Sequence, residues 1–142
     1  MEYKNQNYQR PRNQNFNKDN RNWKNDFDIK WITNGITKEA VKFCDEFGIF
    51  LYENRLSSSQ IRNVYGELKR IQMKGFENEK TSFILLKPKM AYAVVRDGKK
   101  GLKALGQVFD KAFDVVNSEN EFTNLMDFME AVLAYHKAHG GK

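Results

Sequence analysis

What this chain of 142 residues lacks already closes several classes of explanation. It has one cysteine, Cys44, so an intrachain disulfide is impossible and a zinc site built on several thiolates is excluded. No apolar run approaches the ~20 residues needed to cross a bilayer. The first residues are polar and Asn-rich, unlike a secretory signal. Together these predict a soluble, cytoplasmic protein with no membrane partner. Catalytic apparatus is also missing. The "GKKG" at 98–101 has neither the Walker spacing nor the following Ser/Thr. The carboxylates are scattered over amphipathic segments with no paired arrangement. No catalytic residue, metal site or cofactor is therefore expected. Only two histidines are present, His136 and His139, three apart near the C-terminal end. They could share a metal with a third ligand or simply place cationic rings at a helix C-terminus. Cys44 lies on an apolar stripe and reads as a buried structural thiol.

What the chain has in excess is positive charge, with 24 Lys/Arg against 18 Asp/Glu and a net charge of +6. Residues 55–103 carry twelve of the cations and four carboxylates, whereas the segments on either side, 31–54 and 104–142, are net acidic. A polyanionic partner is compatible with this balance. Residues 1–30 read as a disordered Asn/Gln/Arg-rich arm without hydrophobic period, and residues 31–142 as the folded domain. Aromatic residues recur in the arm at Tyr3, Tyr8, Phe16, Trp23 and Phe27. They either stack on bases or belong to a solvated tail.

From Gly35 onward helical spacing dominates. Thr37 is placed to cap a first helix that carries Val41, Cys44, Phe47, Gly48 and Leu51 on one side. Ser57 and Gln60 form a Ser-x-x-Gln capping box, flanked by Leu56 and Ile61 as a hydrophobic staple. Ile61, Val64, Tyr65, Leu68 and Ile71 continue as one stripe, and Gly75 suits the C′ position. A third helix ends near Asp97-Gly98. A fourth carries Leu102, Leu105, Val108, Phe109, Ala112, Phe113 and Val116, and Ser118-x-x-Glu121 opens a fifth. Only "SFILL" resembles a strand. The expected fold is an all-α compact bundle of about five helices.

On the second helix, at 100° per residue from Arg62, Lys69 falls at about 340°, Arg70 at about 80° and Lys74 at about 120°. The apolar stripe spans about 180° to 300°, so the basic side faces away from the core. On the third helix Lys89 and Arg96 share a face, with Tyr92 and Leu85 beside them. Lys99, Lys100 and Lys103 follow after the turn. Such a surface suits backbone phosphates; the alternative, which sequence alone slightly favours, is a solvated, solubilising face. A helix-turn-helix reader of DNA fits poorly, because the third helix is too apolar to lie in a major groove.

Three blocks carry a family resemblance: "LSSSQIRNVYGELKRI", "LLKPKMAYAVVR" and "FMEAVLAYHKAHGGK". In order and spacing they resemble the small helical subunit of type III-A (Csm) CRISPR effector complexes, over roughly residues 50–142. The resemblance implies a non-catalytic RNA-binding scaffold subunit that stacks in several copies along the crRNA–target RNA duplex. Its implied partners are the backbones of both RNAs, the other Csm subunits and further copies of itself. It assigns RNA contact to Arg62, Lys69, Arg70, Lys87, Lys89 and Arg96. The alternative is a protein–protein adaptor bundle without direct nucleic-acid contact. The Lys87-Pro88-Lys89 interruption poses a geometric problem. On a straight helix Lys87 and Lys89 lie about 200° apart, which puts Lys87 on an apolar side. Pro88 is expected to kink or restart the helix and bring Lys87 toward solvent.

Overall fold

The computed structural model describes residues 23–142. Two single-turn helices, α1 (Trp23–Asp26) and α2 (Lys30–Thr33), precede five long ones. These are α3 (Lys38–Glu53), α4 (Ser58–Lys74), α5 (Lys80–Asp97), α6 (Lys100–Asp114) and α7 (Glu119–Ala138). A 3₁₀ turn, Phe76–Asn78, joins α4 to α5, and the described residues contain no strand. "SFILL" lies inside α5.

The helix starts follow the local chemistry. Thr37 Oγ1 accepts from Ala40 N at 3.1 Å, removing one orphan donor at the start of α3. At α4 the capping box is complete in both directions. Gln60 N donates to Ser57 Oγ at 3.4 Å, and Ser57 N donates to Gln60 Oε1 at 3.1 Å. At α7 it is not reciprocal. Ser118 Oγ accepts from Glu121 N, but the Glu121 carboxylate accepts from Asn117 N one residue earlier, at 2.7 Å. Gly75 and Gly98 close α4 and α5 with φ of 95° and 73°, a region costly for residues with a Cβ.

The longest helix, α7, is the spine. Helix α3 packs along it most extensively, with α2 and α4 on its other sides, while α6 bridges α3 and α5. Phe47, Leu51, Phe122, Leu125 and Phe128 are fully buried along this spine. Each such side chain contributes about 1.5–3 kcal/mol by leaving water. Gly48 lets α3 and α7 touch, since a Cβ there would stand 2.8 Å from Tyr135 Cβ. Helix α4 lies antiparallel to α5, with Gln60 beside Asp97 at one end and Arg70 beside Glu79 at the other.

Three expectations need adjustment. Val41, placed on the stripe of α3, is exposed, and Phe43 fills the core instead. Trp23 and Phe27, counted with the arm, are buried. Trp23 packs on Phe47 and Phe50, and Phe27 on Trp31, Phe43 and Phe128, all with ring centroids 5.3–6.0 Å apart. The folded body thus includes Trp23 and Phe27, ahead of residue 31; Tyr3, Tyr8 and Phe16 lie outside the described residues. Finally, α5 runs through Pro88 without a restart. Both Pro88 and Ile84 sit on the exposed side, so the Ile84 carbonyl deprived of its partner faces water and the lost bond costs little.

Candidate nucleic-acid interface

The antiparallel pair of α4 and α5 positions most of the basic residues singled out from the sequence. Phe83, Leu86 and Met90 anchor α5 from below, which turns Lys89, Tyr92 and Arg96 outward. Ile61, Leu68 and Ile71 anchor α4, which leaves Arg62 and Lys69 on its outer ridge. Between the helices runs an open groove of about 690 Å³, lined by Asn63 and Glu67 from α4 and by Lys89, Tyr92 and Arg96 from α5. Val64, Leu86, Met90 and Ala93 form its floor.

The six cations have different circumstances. Arg62, Lys89 and Arg96 are exposed, and no ion pair or hydrogen bond among the described residues engages their side chains. Lys69 is exposed too, but its ammonium lies 5.8 Å from the centroid of the Tyr65 ring and 3.5 Å from Gln72 Oε1. Arg70 is committed to carboxylates. Its Nε and Nη2 donate to Glu67 at 3.1 and 2.8 Å, while Nη1 stands 3.0 Å from Glu79 Oε1. Lys87 points elsewhere: its Nζ is 2.6 Å from Asp114 Oδ1 on α6 and 6.0 Å from the centroid of Phe113. The half-exposed Lys87 is thereby kept charged without joining the Lys89–Arg96 stripe.

These pairs control the sign of the groove. Hydrogen bonds from Arg70 hold the Glu67 carboxyl below its usual range, with the Arg70 and Lys89 charges helping. Glu79 is held low first by the Ser82 hydroxyl and then by Arg70. Asp97 accepts from the Gln60 side-chain amide and, at 3.1 Å, from Lys99 N. The two groove-side carboxylates, Glu67 and Asp97, are therefore already engaged, while Arg62, Lys89 and Arg96 face solvent without an ion pair or hydrogen bond among the described residues. Asn63 and Tyr92 extend the site beyond the basic residues. The helical spacing of Lys89, Tyr92 and Arg96 puts Tyr92 on the cationic face, whereas Asn63 carries no distinguishing signal in the sequence.

The remaining polar candidates are structural. His136 is fully buried, with Nε2 2.8 Å from the Leu56 carbonyl. His139 Nε2 is instead 2.6 Å from Asp45 Oδ1 on α3, so the two imidazoles serve different contacts. No group of three His, Cys, Asp or Glu among the described residues could hold a metal ion. Cys44 is buried against the Phe128 carbonyl. Burial first, and then the nearby Asp45 charge, push its thiol up to about 12, leaving it unreactive near neutrality. None of the helices formed by the described residues is long and apolar enough to cross a membrane.

Among known families, the model described as Csm2 Type III-A matches residues 36–142. No curated protein and no solved structure matches the chain.

Proposed function

The chain belongs to the Csm2 Type III-A family, a small subunit of the type III-A CRISPR complex, and from that premise we propose that it is a non-catalytic RNA-binding scaffold subunit. In this reading several copies stack along the crRNA–target RNA duplex beside the other Csm subunits, each touching the RNA backbone without regard to sequence. The observation that carries it is the exposed stripe of Lys89 and Arg96 on α5, next to Arg62 on α4, with no ion pair or hydrogen bond to any of the three side chains among the described residues. A free cation that meets a phosphate releases a bound counter-ion, which makes affinity fall steeply with salt. Lys69 belongs to the same ridge. Arg70 acts indirectly, by cancelling Glu67 beside the groove, and Lys87 is paired with Asp114 on α6.

The test is a gel-shift series over salt with the wild type and the Lys89→Gln/Arg96→Gln variant on an RNA duplex. Each removed phosphate contact should reduce the slope of log K against log salt by about one. The double variant should therefore lose about two from the slope while its circular dichroism is unchanged. Equal slopes with intact helicity would show that this face does not bind RNA. A protein–protein adaptor would give no salt-sensitive RNA complex at all.

A further inference from the structure

A surface that only follows a phosphate backbone has no use for an exposed aromatic ring, yet Tyr92 stands in the middle of this one with 67% of its surface exposed. Lys89, Tyr92 and Arg96 occupy positions i, i+3 and i+7, so they form one stripe with the ring bracketed by the two cations. Tyr92 makes no ring contact and no hydrogen bond among the described residues. It does not stand on a flat face either. It lines the groove between α4 and α5, whose volume of about 690 Å³ is ample for a nucleobase. Across the groove Asn63 presents an amide with both a donor and an acceptor and no partner among the described residues. The floor beneath is apolar, from Val64, Leu86, Met90 and Ala93.

We propose that this groove receives one unpaired nucleobase of a bound RNA strand, stacked against the Tyr92 ring, with Lys89 and Arg96 on the phosphates to either side. The inference rests on the RNA-binding reading and sharpens it from backbone tracking to recognition of an unstacked nucleotide. The chemistry matches at each part. An apolar floor and an aromatic ring favour the faces of any base, so the site tolerates every sequence. The Asn63 amide can pair with either donor or acceptor edges. The cations supply the phosphate contact that holds the strand in place. Glu67, the one acidic side chain on the α4 wall, is neutralised by Arg70 and so does not repel the strand. A base inside a regular helix cannot reach the groove, because its faces are covered by its neighbours.

Fluorescence anisotropy with the full chain tests this on two RNA duplexes that differ only by a single bulged adenosine. Base–aromatic stacking predicts tighter binding of the bulged duplex by about fivefold or more. Tyr92→Leu should bring the ratio toward one, and Tyr92→Phe should keep it. A 2-aminopurine in the bulge should lose fluorescence on binding to the wild type but not to Tyr92→Leu. Equal affinity for the two duplexes would overturn the base site while leaving backbone binding intact. So would a preference that survives Tyr92→Leu, or a groove taken by an apolar helix of a neighbouring subunit. Salt-insensitive or absent binding of both duplexes would overturn the broader reading and the base site with it.

Discussion

The same substitution at two glycines should move stability in opposite directions, and the structure says by how much. Gly48 lies in α3 where that helix crosses α7. An added methyl carbon there would meet Tyr135 Cβ at 2.8 Å and the backbone of Tyr135 and His136 at 3.0 Å. Two of those three atoms are backbone, so no rotamer change relieves the clash and the helices must separate. Overpacking of this kind costs about 1–3 kcal/mol, and backbone contacts place Gly48→Ala near the upper end. Replacing a mid-helix glycine by alanine returns about 1 kcal/mol of helix propensity. The net loss is about 2 kcal/mol. Gly66 sits in the middle of α4 with nothing within 4 Å of an added Cβ, so Gly66→Ala should retain the propensity gain alone. For a body of this size 1 kcal/mol shifts Tm by about 4 °C. Gly48→Ala should therefore melt roughly 8 °C below the wild type and Gly66→Ala a few degrees above it, followed by circular dichroism at 222 nm. Shifts of the same sign for both variants would refute the α3–α7 contact as described.

Three further outcomes follow from the buried and paired groups. Burial holds the His136 pKa below 6.5, aided by Lys137 and opposed by the bond to the Leu56 carbonyl, and buried Nδ1 has no partner among the described residues. The unfolded chain therefore binds that proton more readily, so His136 contributes stability that is present above pH 6.5 and lost as pH falls through and below it. NMR should show the His136 ring titrating below 6.5, and a midpoint at or above that value would be contrary. Arg70→Gln should destabilise the bundle at neutral pH by releasing Glu67 and Glu79. Those carboxyls are depressed from 4.5 in the fold, so the deficit should shrink as pH drops below 4.5 in urea titrations. A deficit independent of pH would mean that Arg70 acts by packing alone. Pro88→Ala should stabilise α5 by about 1–3 kcal/mol, chiefly through helix propensity and relief of the ring's crowding against the Ile84 carbonyl, and a loss in denaturant midpoint would show that Pro88 is needed for the helix path.

The bundle itself was written in local signals. Thr37, Ser57-Gln60 and Gly75 announce helix ends because capping depends on three or four neighbouring residues. The stripes of α4 and α6 follow because one side of each faces the core. The difficulties come where two elements meet. Trp23 and Phe27 sit among Asn, Lys and Asp, and their burial depends on the rings of Phe43, Phe47 and Phe128 contributed by α3 and α7. Their spacing with Trp31, four residues at each step, is the one hint that the composition obscures. Pro88 removes a backbone donor and crowds the Ile84 carbonyl, which is why the sequence points to a kink or restart. On the exposed side of the helix that cost is largely solvated.

The interface shows the same division in electrostatic form. Net charge locates the basic segment but does not distinguish a cation available to a ligand from one consumed inside the fold. Residues 55–103 contain four carboxylates, and each has a partner: Glu67 and Glu79 with Arg70, Glu77 with Lys80, and Asp97 with Gln60 and Lys99. Lys87 is drawn off to Asp114 from outside the segment. Only Arg70–Glu67 lies within one helix, where helical angles foresee it; Arg70–Glu79, Gln60–Asp97 and Lys87–Asp114 join elements whose meeting the angles do not give. Exposed pairs like these contribute little stability. Their larger effect is on the surface, since they remove negative charge from the groove and leave Arg62, Lys89 and Arg96 unopposed. Arg70 thus supports the proposed binding face by silencing Glu67, although its own guanidinium is committed to carboxylates.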